Sequence, residues 1–198
     1  MLHNYIAMLY FILALVLIVG IYICINDAKE KKESKSALKK NLSIVESWGS
    51  DFTPNKTIKS PDDLFVIKFD ESHEKIAVIS NEGVLSIPFK DVISVERIEN
   101  GVTKFRKSIA ETVGGAIIGG AIAGGAGMVV GGLSGSTEGS KKITSLSVKV
   151  TINDLSHPSI TFPLPLGEAL AFAKSFKVAE ELVDTFKVII SRNSNRIN

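Results

Sequence analysis

The sequence predicts a membrane-anchored protein of the mostly β, α+β class: an N-terminal transmembrane helix, an antiparallel barrel of six to seven strands, and a C-terminal capping helix. Three observations predict this architecture. An uncharged apolar run occupies Tyr5–Ile25. Apolar and polar residues alternate along much of residues 64–99 and 143–164, which is typical of strands with one buried face. Apolar residues then recur at helical spacing within residues 167–192.

Composition limits the classes of function. At 198 residues the chain is long enough for one modest domain plus attachments. The formal net charge of +2 is too small to indicate a nucleic-acid partner. The chain has one cysteine, Cys24, so neither a disulfide framework nor a cysteine-based metal site can form within it.

Residues 1–27 are predicted to form a transmembrane anchor. As a helix, Tyr5–Ile25 reaches roughly 30 Å, the thickness of the hydrocarbon core of a bilayer. Tyr5, Tyr10 and Tyr22 lie towards the ends of the run, where aromatic rings suit the membrane interface. No basic residue precedes the run and no small-residue cleavage site follows it, which favours an uncleaved signal-anchor over a signal peptide.

The distribution of basic residues predicts the orientation of this anchor. Lys29, Lys31 and Lys32 begin a series of lysines after the apolar run, and none lies before it. The positive-inside rule then places the N-terminus outside and the C-terminal domain in the cytoplasm, as in a single-pass protein of the plasma or inner membrane. Residues 28–56 are predicted to be a partly helical juxtamembrane linker, whose lysines either contact anionic head groups or are simply solvated.

The strands define a domain over residues 57–192. A leading strand is expected near Thr57–Lys59, followed by segments separated by Asp70–Glu74, Asn81–Gly83 and the hairpin signal Asn100-Gly101. Alternation resumes within Ile143–Asn153 and Ser159–Leu164. It predicts that Val150 and Phe162 face inward while Lys149 and Thr161 face outward.

The C-terminal helix is expected over residues 167–192, before a polar tail at 193–198. One apolar stripe predicts it: Phe172, Phe176, Ala179, Val183, Phe186 and Ile190. We expect the stripe to cover the open end of the preceding sheet. A coiled-coil dimer is the alternative.

Residues 113–136 interrupt the strands as a glycine-rich apolar insert. Several glycines recur at spacings that give a helix one smooth packing groove: Gly115, Gly119, Gly120, Gly124, Gly127, Gly131 and Gly135. A flexible loop is the alternative, although flexible linkers are poor in isoleucine and valine. Basic residues flank both ends, which predicts a helical hairpin that returns to its starting side, in lipid or against the barrel.

The order of strands and helix resembles a pleckstrin-homology-like (PH-like) barrel, and the chain is similar to bacterial membrane-anchored proteins of that kind. The resemblance covers about Leu64–Ile190 and is carried by Ile67–Asp70, Lys75–Val78, Ile87–Glu96 and the glycine-rich insert. It implies a non-enzymatic module that binds a lipid, a peptide or a protein. The acidic segment Asp70–Glu74 disfavours phosphoinositide binding between the first strands.

No catalytic motif accompanies this pattern. His3, His73 and His157 have no metal-ligand spacing, and phosphate-binding and dinucleotide-binding fingerprints are missing from the sequence. We therefore expect no enzymatic activity, cofactor, metal or nucleic-acid partner. The predicted function is a membrane-tethered binding or adaptor module that docks an unidentified protein or lipid. The alternative is a membrane-active glycine-zipper protein, toxin-like or immunity-like, that forms homo-oligomers in the bilayer.

Overall fold

The computed structural model describes residues 2–109, 143–167 and 169–197, with side chains from residue 15 to residue 196. Helix α1 spans Leu2–Glu46 and helix α2 spans Ala169–Ile197. Between them lie eight described strands: β1 Lys56–Lys59, β2 Phe65–Asp70, β3 Lys75–Ser80, β4 Val84–Pro88, β5 Val92–Glu99, β6 Val102–Ser108, β7 Leu146–Ile152 and β8 Ser159–Leu164.

The strands form two antiparallel sheets of four strands each. The first sheet has the order β1-β2-β3-β4, so each strand pairs with its neighbour along the chain. The second has the order β6-β5-β7-β8, in which β5 lies between β6 and β7. The prediction of an antiparallel β domain followed by a helix is confirmed, although the sequence indicated only six to seven strands.

The predicted membrane anchor is not supported. Among the residues whose side chains the structure describes, no helix carries an apolar stretch long enough to cross a bilayer. The membrane-anchored fold class and the single-pass localisation with its N-terminus outside are therefore wrong.

The second half of α1 packs against the outer face of the first sheet. Leu38 and Val45 are buried there against Val66 and Ile79, and Phe52 completes the contact after the helix. This part of the chain was expected to be a juxtamembrane linker. Instead, one helix runs through it to Glu46 and becomes part of the domain.

The main core lies between the two sheets and α2. Its most deeply buried side chains come from all three: Ile58, Ile67, Ile76, Val92, Val95, Val148, Val150, Leu182, Phe186 and Ile190. Val150 and Phe162 are buried as predicted, and Thr161 is exposed. Lys149, expected to face outward, is half-buried. The predicted apolar stripe of the C-terminal helix covers the sheets, and the helix continues beyond Arg192.

Strand β6 was missed by the sequence analysis. It pairs with β5 through the tight turn Asn100-Gly101, where both residues have positive φ, 51° and 75°. That conformation suits asparagine and glycine and matches the twist of a two-residue hairpin. A two-residue hairpin turn joins two paired strands, so the turn Asn100-Gly101 implies a strand after it as well as β5 before it. The basic residues Lys104, Arg106 and Lys107, which flank the insert in the sequence, lie on this strand.

The glycine-rich insert lies in the sequence between β6 and β7, and the chain leaves and re-enters the sheet at opposite ends of β5. Before the insert, Ser108 pairs with Ser94, and after it Leu146 pairs with Glu99. These two ends are separated by roughly 17 Å along the strand direction. Asn100 holds the returning chain, because its Oδ1 accepts a hydrogen bond from the Thr144 amide at 2.8 Å. The predicted helical hairpin itself lies outside the described residues.

Candidate functional site

A groove of about 590 Å³ separates α2 from the first sheet and is here named the α2–β1 groove. One wall consists of α2 residues at helical spacing, which are Lys177, Glu180, Glu181, Asp184, Thr185, Val188, Ile189 and Arg192. The opposite wall contains Asn55, Lys56 and Glu71, and the floor contains Phe69 and Phe89. The residues of this wall lie on α2 beside the apolar residues with which the helix enters the core.

The centre of the groove is apolar. Phe69, Phe89 and Ile189 are almost completely buried beneath it. Val188 lies on its wall with 52% of its surface exposed. The exposed valine provides a contact for an apolar group of a ligand, because further burial of its surface is favourable.

Two ion pairs cross the groove. Lys56 Nζ lies 3.1 Å from Glu181 Oε1, and Arg192 Nη2 lies 2.6 Å from Glu71 Oε1. Asn55 also donates to Glu71 Oε2 at 3.2 Å. The hydrogen bond from Arg192, then that from Asn55, lowers the pKa of Glu71 below its ordinary value of 4.5. The glutamate is therefore ionised at neutral pH, and the two walls are held close together.

The turn between β2 and β3, which supplies Glu71, is itself fixed by Asp70. This buried carboxylate accepts hydrogen bonds from the Thr53 amide at 2.5 Å, the Ser72 hydroxyl at 2.6 Å and the His73 amide at 3.0 Å. Burial alone would raise the pKa of Asp70. The hydrogen bonds from Ser72, His73 and Thr53 outweigh that effect and hold the pKa well below its ordinary value of 3.8.

The end of α2 is attached to the same turn, to Phe89 and to the first residue of β5. Arg196 forms an ion pair with Glu74. Asn193 is buried and its Nδ2 donates to the carbonyl oxygens of Phe89 and Val92, at 2.6 and 3.2 Å. These contacts position the helical wall relative to the floor residue Phe89.

Carboxylates outnumber cations in the groove. Its lining contains four carboxylates, Glu71, Glu180, Glu181 and Asp184, against the three cations Lys56, Lys177 and Arg192. The hairpin turns of the first sheet are acidic as well, with Asp62 and Asp63 before β2, Glu71 and Glu74 before β3, and Glu82 before β4. A site for an anionic head group requires the opposite charge.

Among the residues selected from the sequence, those whose side chains the structure describes do not line this groove. The packing glycines Gly115, Gly119, Gly120, Gly124, Gly127, Gly131 and Gly135 lie outside the described residues, and so do the side chains of Tyr5 and Tyr10. Four further selected residues are exposed on α1 and do not line the groove: Tyr22, Lys29, Lys31 and Lys32. The sequence does show the polar residues of α2 that line the groove, but it does not indicate which part of the chain lies opposite them.

The described residues contain no group of three or more histidine, cysteine, aspartate or glutamate side chains that could hold a metal ion. His73 and Asp70 form a contact of 2.6 Å between Nδ1 and Oδ2, and His157 and Asp154 form a longer one of 3.7 Å. Each is a single pair within a turn, which is too few ligands for a protein metal site.

Comparison with known proteins gives the family. No curated protein and no solved structure matched the chain. A family model described as a glycine zipper containing PH domain matches residues 54–164, which is more than half of the chain and includes β1 to β8 and the insert. PH-like domains are generally non-catalytic binding modules. The chain belongs to the family of glycine-zipper-containing PH domains.

Proposed function

We propose that this domain binds a segment of a partner protein in the α2–β1 groove and acts as a non-enzymatic adaptor. The observation that carries the proposal is the apolar centre of the groove, where half-exposed Val188 stands beside buried Phe69 and Phe89. Two ion pairs frame this centre, Lys56–Glu181 and Arg192–Glu71. An apolar contact surrounded by charged side chains is a common arrangement for recognising a polypeptide.

The charges favour a protein over an anionic lipid. The groove carries more carboxylates than cations, and two of its three cations already pair with its own glutamates. The neighbouring turns, with Asp62, Asp63 and Glu82, are acidic. A phosphate group would meet repulsion here, whereas a polypeptide with basic side chains would not.

The test compares two exposed positions in the full-length chain. Val188→Asp places a charge in the centre of the groove, and Thr161→Asp places one on the distant strand β8. Both positions are exposed, so both variants are expected to fold, which circular dichroism verifies. We expect at least one protein that co-purifies with the wild type to be lost from the Val188 variant and kept by the Thr161 variant. Identical sets of co-purified proteins for the two variants would contradict the proposal.

A further inference from the structure

Three residues of the groove lie in one line along α2. Glu180, Asp184 and Val188 are spaced four residues apart, and all three line the α2–β1 groove. Successive members of such a series are separated by about 6 Å along the helix axis. The rim of the groove therefore presents a carboxylate, a second carboxylate and an apolar side chain at regular intervals.

Of the four carboxylates that line the groove, Glu180 and Asp184 form no ion pair with the opposite wall. Glu71 and Glu181 pair with Arg192 and Lys56. Among the ion pairs of the described residues, none includes Glu180 or the groove lysine Lys177.

Asp184 does have a partner, but the partner lies outside the groove. Its Oδ1 is 3.0 Å from Lys187 Nζ, and Lys187 also lies over the Phe105 ring, 4.3 Å from the centroid. Lys187 does not line the groove. Both Glu180 and Asp184 therefore remain able to attract a cation of a ligand in the groove.

An ion pair that crosses the groove restricts the conformation of a ligand. The ion pair of 3.1 Å between Lys56 and Glu181 joins the two walls directly through their side chains. A helix with side chains is about 10 Å across and would have to break this pair. An extended chain is thinner, and its alternate side chains are separated by about 6.6 Å, close to the spacing of the series on α2.

From this match we infer that the partner segment is an extended peptide with one apolar side chain followed, at every second position, by two basic side chains. The apolar side chain contacts Val188, and the basic side chains face Asp184 and Glu180. This inference rests on the proposed function and adds to it the chemical class of the partner. It excludes acidic segments, which Glu180 and Asp184 repel.

The experiment uses a fluorescein-labelled probe peptide that reads the same from either end: lysine–serine–lysine–serine–leucine–serine–lysine–serine–lysine. Its binding to the full-length chain is measured by fluorescence anisotropy. Two matched peptides carry glutamate in place of every lysine, or serine in place of leucine. We expect the lysine–leucine peptide to bind tightest and its affinity to fall as salt is raised, because screening weakens exposed charge pairs.

Matched protein variants locate the effect. The double variant Glu180→Lys with Asp184→Lys should weaken binding of the lysine–leucine peptide by about tenfold, since two exposed charge pairs are lost. The control, Glu46→Lys with Glu82→Lys, makes the same change in net charge at exposed sites outside the groove and should bind like the wild type. Circular dichroism verifies that both variants fold.

Undetectable binding of the lysine–leucine peptide, equal binding of the glutamate peptide, or equal weakening by both double variants would each overturn the inference. Such a result is distinguishable from failure of the proposed function. If the Val188→Asp variant still loses a co-purifying protein, the groove binds a partner of different chemistry.

Discussion

Arg192 Nη2 lies 2.6 Å from Glu71 Oε1 and joins the last turns of α2 to the turn between β2 and β3, across 121 positions of the sequence. One helical turn later, Arg196 pairs with Glu74 of the same turn. Two acidic residues of this turn, Glu71 and Glu74, are therefore neutralised by the C-terminal helix. These contacts fix one end of the α2–β1 groove. Because they neutralise two carboxylates of the acidic turn, the turn is compatible with a nearby binding surface.

Asp70 is expected to contribute strongly to stability, because it is buried and accepts several hydrogen bonds. Asp70→Ala removes the buried carboxylate that accepts from the Thr53 and His73 amides, so the free energy of unfolding should fall by about 3 kcal/mol. Urea denaturation followed by circular dichroism measures this loss. The exposed Glu82→Ala, in the turn before β4, serves as the control and should change little. Equal losses in the two variants would contradict the assigned network.

The same carboxylate makes stability depend on acid. The pKa of Asp70 is lower in the folded protein than its ordinary value of 3.8, as the pKa values of Glu71 and Glu74 are lower than 4.5. Their stabilisation is therefore complete above these ordinary values and is lost as the pH falls below them. We expect the urea midpoint to be constant near neutral pH and to fall below about pH 4.5.

Asp70→Asn separates the contribution of Asp70 from those of the other carboxylates. The variant should be less stable than the wild type at neutral pH and should lose less stability on acidification, because asparagine does not titrate. Parallel pH profiles for the wild type and Asp70→Asn would show that Asp70 does not cause the dependence.

Helix α1 is expected to stabilise the domain through its second half. Val45 is 2% exposed against the first sheet, whereas the adjacent Ile44 is 43% exposed. Val45→Ala should lower the free energy of unfolding by about 2 kcal/mol. Ile44→Ala should change it by less than about 0.5 kcal/mol. If both substitutions had the same small effect in urea denaturation, α1 would not be packed on the sheet.

The buried end of α2 can be tested with two asparagines. Asn193 donates to the carbonyl oxygens of Phe89 and Val92, while Asn195, on the same turn, is exposed. Asn193→Ala should destabilise the protein by about 2 kcal/mol, because two buried carbonyl groups lose their donor. Thermal denaturation should show a lower melting temperature for Asn193→Ala than for Asn195→Ala. The reverse order would place the end of the helix elsewhere.

Local patterns in the sequence were sufficient for much of the fold. The alternation in Leu146–Ile152 predicted β7, and the stripe through Phe176 and Phe186 predicted the helix that covers the sheets. These features depend on the period of apolar residues, which a sequence displays directly. The turn at Asn100-Gly101 was likewise recognised from its residues, because few others adopt positive φ.

The candidate site could not be predicted in the same way. The pairs Lys56–Glu181 and Arg192–Glu71 join residues that come together only when α2 packs beside β1. Docking of α1 did leave a signal, since Leu38, Leu42 and Val45 recur at helical spacing, but the surrounding lysines suggested a solvated linker. A long apolar run beginning at Tyr5 likewise suggested a membrane anchor, which the described helices do not support.

Binding of a polypeptide in the α2–β1 groove is the central claim, and site-specific photocrosslinking in living cells tests it most directly. A benzophenone amino acid replaces Val188 in the groove or, as the control, Thr161 on β8; both positions are exposed. We predict a covalent protein adduct at position 188 that is missing at position 161. An adduct of equal yield at both positions, or no protein adduct at position 188, would contradict the claim that the groove is the binding site.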